Sequence, residues 1–171
     1  MVDTILMIAR ITAFVSACLL GVSFLSSCGS SKPAPAAQGA ELRLVVRSYS
    51  VRGKRYVPMD AATALRYKAD GIASYYEANG SRGSLGERLR RGEFYAAHTT
   101  LPMPCQVRIT NLSNGKSCEA RIADRGPFSK NRIIDVSSAV ARELGFLRKG
   151  LQQVRVEVIS VGDGPGQLKA D

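Results

Sequence analysis

Gln106-Val107-Arg108-Ile109-Thr110 alternates apolar and polar residues, Asn114-Gly115 follows, and Ser117-Cys118-Glu119-Ala120-Arg121-Ile122-Ala123 leads back. A period of two marks a strand with one buried face, so Val107 and Ile109 point one way and Arg108 the other. Asn-Gly suits a tight turn that needs positive φ, and the segment reads as a β-hairpin. The hairpin runs into Asp124-Arg125-Gly126-Pro127-Phe128 and then Arg132-Ile133-Ile134-Asp135-Val136-Ser137. Gly126 permits φ > 0 and Pro127 fixes the next φ, so the chain turns sharply with a carboxylate at the corner. Loops held by a rigid sheet often carry reactive groups. Asp before Gly-Pro also serves simply to shape a turn.

Further strands flank this centre. Ile72 to Tyr76, Phe94 to Ala97 and Val154-Arg155-Val156-Glu157-Val158-Ile159 read as strands, the last being the cleanest alternation in the chain. Leu42 to Tyr56 carries β-formers around a turn at Gly53-Lys54. Two short helices are predicted: Asp60 to Lys68, with Asp60 as N-cap and Gly71 near its stop, and Ser137 to Leu144, closed by Gly145. Glu77 to Arg91 is a polar, basic, Gly-rich loop, and Gly162 to Asp171 reads as a loose tail. No repeat of fixed period appears. The sum is a mostly β domain, a closed barrel with one or two short helices.

The chain has 171 residues, room for one domain rather than two. Its net charge of +10, from 24 basic and 14 acidic residues, favours an anionic partner. The N-terminus narrows that choice. Arg10 precedes the apolar stretch Ile11 to Leu25, too short for a comfortable membrane span, and Leu25-Ser26-Ser27-Cys28 has the form of a lipobox. Residues 1–27 are thus expected to be an export signal, with Cys28 acylated to give a multi-chain membrane anchor. Gly29, where Asp would favour inner-membrane retention, points to the outer membrane. Residues 28–41, rich in Ser, Pro, Ala and Gly, form a tether. Residues 42–69 are a lead-in, 70–161 the barrel and 162–171 a tail. An exported protein does not meet chromosomal DNA, so nucleic acid is excluded and the positive charge is assigned to peptidoglycan or lipid headgroups. Cys105 and Cys118 flank the hairpin in an oxidising compartment, so a disulfide between them is expected, with a pair of buried free thiols as the alternative.

From Tyr49 to Ile159 the chain resembles the rare lipoprotein A family. The resemblance rests on six runs in order: Val51 to Pro58, Gly71 to Tyr76, Gly86-Glu87, Ala96-Ala97-His98-Thr99-Thr100-Leu101-Pro102, Val107 to Leu112 with Asn114-Gly115, and Asp124 to Phe128 followed by Arg132 to Ser137. It implies a six-stranded double-psi β-barrel, and an endolytic lytic transglycosylase, a lyase acting on peptidoglycan glycan strands stripped of stem peptides. It also implies Asp124, Glu87 and His98 as the catalytic group. The alternative is a non-catalytic peptidoglycan-binding or septal partner with an expansin-like barrel, working beside cell-division or envelope proteins. In the family's Thr-Ala-Asn-Gly-Glu loop, Gly83, Ser84 and Leu85 stand here for the first three residues. Tyr75 replaces a usual Trp, and Glu77 a usual Gly. The chain is expected to lack the glycan-binding SPOR domain that many members carry after the barrel.

Lytic cleavage delivers a proton to the glycosidic oxygen. It then removes one from the C6 hydroxyl of N-acetylmuramic acid, whose oxygen closes on C1. One carboxyl group serves both steps, where a hydrolytic glycosidase uses two. Asp124 is the candidate. Glu87 is expected to bias Asp124 toward its protonated form by like-charge coupling, or to position the acetamido sugar. Arg125 is expected to point at the sugar, and Tyr75 to stack on it, though one of Tyr75 and Tyr76 belongs to the core. Asp135 binds substrate, replaces Asp124 as the acid, or supports the helix beginning near Ser137. The lone His98 reads equally as a hydrogen-bonded structural residue. No metal site or cofactor is indicated.

Overall fold

A computed structural model describes residues 44–163 and 166–171. The expected signal, the expected acylation site Cys28 and the whole of the tether lie outside the described residues. A small hairpin opens the structure, β1 (Tyr49–Val51) and β2 (Lys54–Tyr56), then helix α1 (Ala61–Leu65). The barrel strands are β3 (Lys68–Tyr76), β4 (Tyr95–Ala97), β5 (Cys105–Asn111), β6 (Ser117–Asp124), β7 (Arg132–Ser137) and β8 (Leu151–Val161). Helix α2 (Ser138–Glu143) precedes β8, and β9 (Leu168–Lys169) follows it. No helix of the described residues is long and apolar enough to cross a membrane.

Six strands close in the order β3-β7-β4-β6-β5-β8, with β8 pairing back onto β3. The pairs β3–β7 and β4–β6 are parallel, and the others in the ring are antiparallel. Each parallel pair joins strands separated in the chain, and the two crossovers interlock as a double-psi β-barrel. Alternation fills the interior: Val107 and Ile109 of β5, Ile122 of β6, Val136 of β7, and Val154 and Val156 of β8 are fully buried. Helix α2 packs against β3, β6 and β7 and buries Ser138 to Ala141. Ser137 caps it by accepting from Val140 N, and Gly145 (φ +78°) closes it. There Phe146 N–H donates to Ala141 O and Gly145 N–H to Arg142 O, a Schellman motif that buries Phe146 completely.

Four sequence expectations need correction. Helix α1 ends at Leu65, because Lys68 already pairs with Glu157 of β8 and binds its carboxylate at 2.7 Å. Gly71 therefore lies inside β3, where an added Cβ would sit 2.5 Å from Ile133 Cγ2. The tail is not wholly loose, since Leu168 and Lys169 pair with Val161 and Ser160. Cys105 and Cys118 are free thiols. Cys105 faces Ile122 and Cys118 faces Ile109, four rungs apart along one hairpin. That offset is about 13 Å at strand rise, well beyond a disulfide's Cα reach.

Candidate active site

The site begins with a bulge. Ala96 pairs with Ile122, but Ala97 pairs with Asp124, so Ala123 is extra in β6. Without that residue Asp124 would follow Ile122's alternation into the core. With it, Asp124 stands level with Ala97 on the outer face. On the other side Ala97 pairs with Asp135 of β7, which pairs with Ser74 of β3. The result is a row across four strands: Ser74, Asp135, Ala97, Asp124. The two carboxylate-bearing Cα atoms lie two strand spacings apart, roughly 10 Å. Behind the row, Ala73, Ile134, Val136 and Ala96 face the sealed core.

Asp124 Oδ1 accepts from the Ser84 hydroxyl and from Arg125 N–H at 2.8 Å. Oδ2 makes no hydrogen bond among the described residues, and the side chain is half-buried. Ser84 comes from the 77–93 loop, which has its own small core of Ala78, Leu89, Tyr95 and Ala123. The loop lies directly on β6: Ser84 N–H donates to Ala123 O at 3.1 Å, and a Cβ on Gly83 would meet that oxygen at 2.6 Å. The Gly83-Ser84 departure from the family loop therefore delivers a hydroxyl to Asp124. Sequence reasoning missed Ser84; its signal was a lone hydroxyl between glycines in a loop next to a resembling Glu.

Glu87 does not reach Asp124 by a hydrogen bond. Its Oε1 pairs with Arg121, which also holds Asp163 at 2.9 Å. Glu87 Oε2 is buried without a partner among the described residues.

His98 is nearly sealed at 3% exposure. Its Nδ1 accepts from Thr100 N–H (3.1 Å) and Leu101 N–H (3.0 Å). The neutral ring's proton therefore belongs on Nε2, which faces the Tyr67 hydroxyl at 3.1 Å. Burial, helped by the Arg125 charge, pulls its pKa down to about 4. The imidazole makes no bond to the Asp124 carboxyl; it braces the loop, while the backbone N–H of His98 donates to the Asp124 carbonyl at 3.1 Å.

Arg125 also departs from expectation. Its guanidinium donates to the carbonyls of Leu101 (2.6 Å), Val45 (3.1 Å) and His98 (3.3 Å) and lies over the Tyr49 ring. It folds back as a cross-brace instead of pointing at a sugar, because three otherwise free carbonyls converge on it. Asp135 is bound by the Ser74 hydroxyl at 2.6 Å and approached by Arg132 Nε at 3.4 Å. It does not cap α2; Ser137 does. Tyr75 packs against the barrel core beside Val136 and is partly buried. Tyr76 takes the outer face against Tyr95, and its buried hydroxyl has no partner among the described residues. Burial, with the Asp124 and Asp135 charges adding, raises its pKa. The exposed aromatic wall lies elsewhere: Tyr49 and Tyr56 stack at 5.2 Å, and Phe128 meets Tyr56 edge-on at 5.6 Å.

The fold and site define a double-psi β-barrel protein whose outer face carries a carboxylate row, with an aromatic cluster of Tyr49, Tyr56 and Phe128 nearby. A family model described as lytic transglycolase matches residues 68–156, and the chain belongs to that family. It is 48% identical over 118 residues to the endolytic peptidoglycan transglycosylase RlpA of Neisseria meningitidis serogroup B, covering 68% of this chain and 48% of the relative. The Campylobacter jejuni protein of the same name is 38% identical over 160 residues, covering 87% and 56%. The chain spans about half the length of these curated relatives. Among solved structures, the Clavibacter michiganensis expansin is 15% identical with a TM-score of 0.47, covering 58% of this chain and 54% of its own.

Proposed function

We propose that this protein is an endolytic peptidoglycan transglycosylase that cuts glycan strands lacking stem peptides and leaves 1,6-anhydromuramyl ends. Asp124 is the acid and then the base. The observation that carries this reading is the bulge that turns Asp124 onto the outer face of the barrel, with Oδ1 held by Ser84 and Arg125 N–H and Oδ2 left for substrate. In the first step the Asp124 carboxyl gives its proton to the glycosidic oxygen as the C1–O bond breaks. In the second, the resulting carboxylate takes the proton of the C6 hydroxyl as O6 bonds to C1. Glu87, held by Arg121, keeps the 77–93 loop in place beside the reacting linkage, and Asp135 with Ser74 holds hydroxyls of the next unit. Cys28 carries the lipid that tethers the domain to the outer membrane, facing the periplasm, where cell-division or envelope proteins are its partners.

The test is incubation of the full chain, purified in detergent, with amidase-treated glycan and a search for 1,6-anhydromuramyl products by mass spectrometry. Wild type is expected to form them and Asp124→Asn to form none while melting at nearly the same temperature. Equal product from the variant removes Asp124 from its role. One observation favours the non-catalytic glycan-binding reading: Glu87 is held by Arg121 and makes no hydrogen bond to Asp124. Binding to denuded sacculi with no product from wild type would establish that reading instead.

A further inference from the structure

Beside the carboxylate row, the β1–β2 hairpin and the loop after Asp124 enclose a cleft of about 300 Å³. Its walls include Arg52, Lys54, Lys130 and Arg132, with the rings of Tyr56 and Phe128, and no carboxylate lines it. Arg52, Lys54 and Lys130 form no ion pair among the described residues. Arg132 is committed: it donates to Ser74 Oγ (2.7 Å) and Ser129 Oγ (3.0 Å) and approaches Asp135. That commitment joins the cleft to the row that ends at Asp124. Lys54 Nζ lies 5.1 Å over the Tyr56 ring, and Phe128 is 39% exposed.

Four cations around one small space repel each other, and an anion entering it relieves that repulsion. Aromatic faces beside them suit the apolar face of a pyranose ring. The volume is at the low end for ligand sites, the scale of one sugar and not of a sugar bearing a peptide. In a glycan of alternating N-acetylated amino sugars, the anionic group is the lactyl carboxylate of muramic acid. It is neutral, as an amide, wherever a stem peptide is attached. We propose that this cleft is a subsite for the free lactyl carboxylate, and that it reads the absence of a stem peptide. The inference rests on the peptidoglycan reading above and gives that reading a cause for its preference.

The experiment measures binding, so it does not need turnover. The full chain with Asp124→Asn, in detergent, is titrated with amidase-treated glycan and with the same glycan after carbodiimide coupling of its carboxyls to methylamine. Free-carboxylate glycan is expected to bind about tenfold more tightly at low salt. Lys54→Gln/Lys130→Gln should lose that preference while keeping its affinity for the amidated glycan. Equal affinity for the two glycans in the parent, or a preference that survives in the double variant, overturns the proposal. So does a double variant that loses binding only to anionic phospholipid vesicles, which would reassign the cleft to lipid headgroups. If wild type makes no anhydro product but the carboxylate preference stands, the cleavage reading fails and the subsite does not.

Discussion

The Ser84 hydroxyl donates to Asp124 Oδ1 across 40 residues of chain, and the same oxygen accepts Arg125 N–H from one residue on. Two donors on one oxygen fix the carboxyl's plane and leave the other oxygen directed away. Ser84→Ala removes the donor that is not part of the strand. About 1 kcal/mol of positioning is lost, roughly fivefold in kcat for strand cleavage, with KM and melting temperature nearly unchanged. Ser84→Thr should restore most of the rate. A loss confined to KM, or no rescue by Thr, would show that Ser84 does not act through Asp124.

His98 gives the protein an acid-sensitive loop. Its folded pKa is about 4, depressed chiefly by burial, against 6.5 when free. The unfolded state therefore binds a proton that the folded state refuses between those values. Stability from the neutral ring is complete above pH 6.5, falls as pH drops toward 4, and levels off below that. The loss is roughly 3 kcal/mol. His98→Asn can still accept from Thr100 and Leu101 but cannot take a proton. Urea melts at pH 7, 5 and 4 should show a shallower acid loss in the variant than in wild type, though the variant begins less stable. Parallel curves would mean that His98 is protonated in the fold.

Much of the barrel was legible because period-two alternation and positive-φ turns are local. Val107, Ile109 and Val154 to Ile159 needed no knowledge of their partners to read as strands. The site was only partly legible. Asp124 sits in a conspicuous Gly-Pro turn, yet its outward direction depends on the one-residue bulge at Ala123, a matter of register between β4 and β6. The direction of Arg125 was misread for a related reason. The carbonyls that capture Arg125 come from 24, 27 and 80 residues away. Tyr75 and Tyr76 differ only in which face of β3 each occupies. The disulfide expectation failed on register as well, since two cysteines flanking a hairpin face each other only when their rungs coincide.

The two barrel cysteines should behave as inert thiols. Burial pushes Cys105 up to about 12 and Cys118 up to about 11, so little thiolate exists near neutrality. Alkylation of native protein at pH 8, read peptide by peptide by mass spectrometry, should be slow at both and slower at the fully buried Cys105. Reductant should leave the barrel's melting temperature unchanged. A non-reduced peptide linking Cys105 to Cys118 would contradict the register of β5 and β6.

Gly83 tests whether the loop or the strand sets the geometry of the site. Its φ is not in the left-handed region, so alanine is acceptable to its backbone in isolation. The obstacle is the Ala123 carbonyl, 2.6 Å from where the new Cβ would stand. That oxygen is fixed by the barrel, so the loop must retreat. Retreat stretches the Ser84 N–H bond to Ala123 O and draws the Ser84 hydroxyl from Asp124. Gly83→Ala should cost about 1–3 kcal/mol of stability, as overpacking does. Misplacement near the reacting group should lower strand cleavage further than Ser84→Ala does, on the order of 10- to 100-fold. The double variant Gly83→Ala/Ser84→Ala should then be no slower than Gly83→Ala alone, because the hydroxyl has already left its partner. Rate losses that simply multiply in the double variant would show that Gly83 and Ser84 act independently, and that the contact of the loop with β6 does not place the hydroxyl on Asp124.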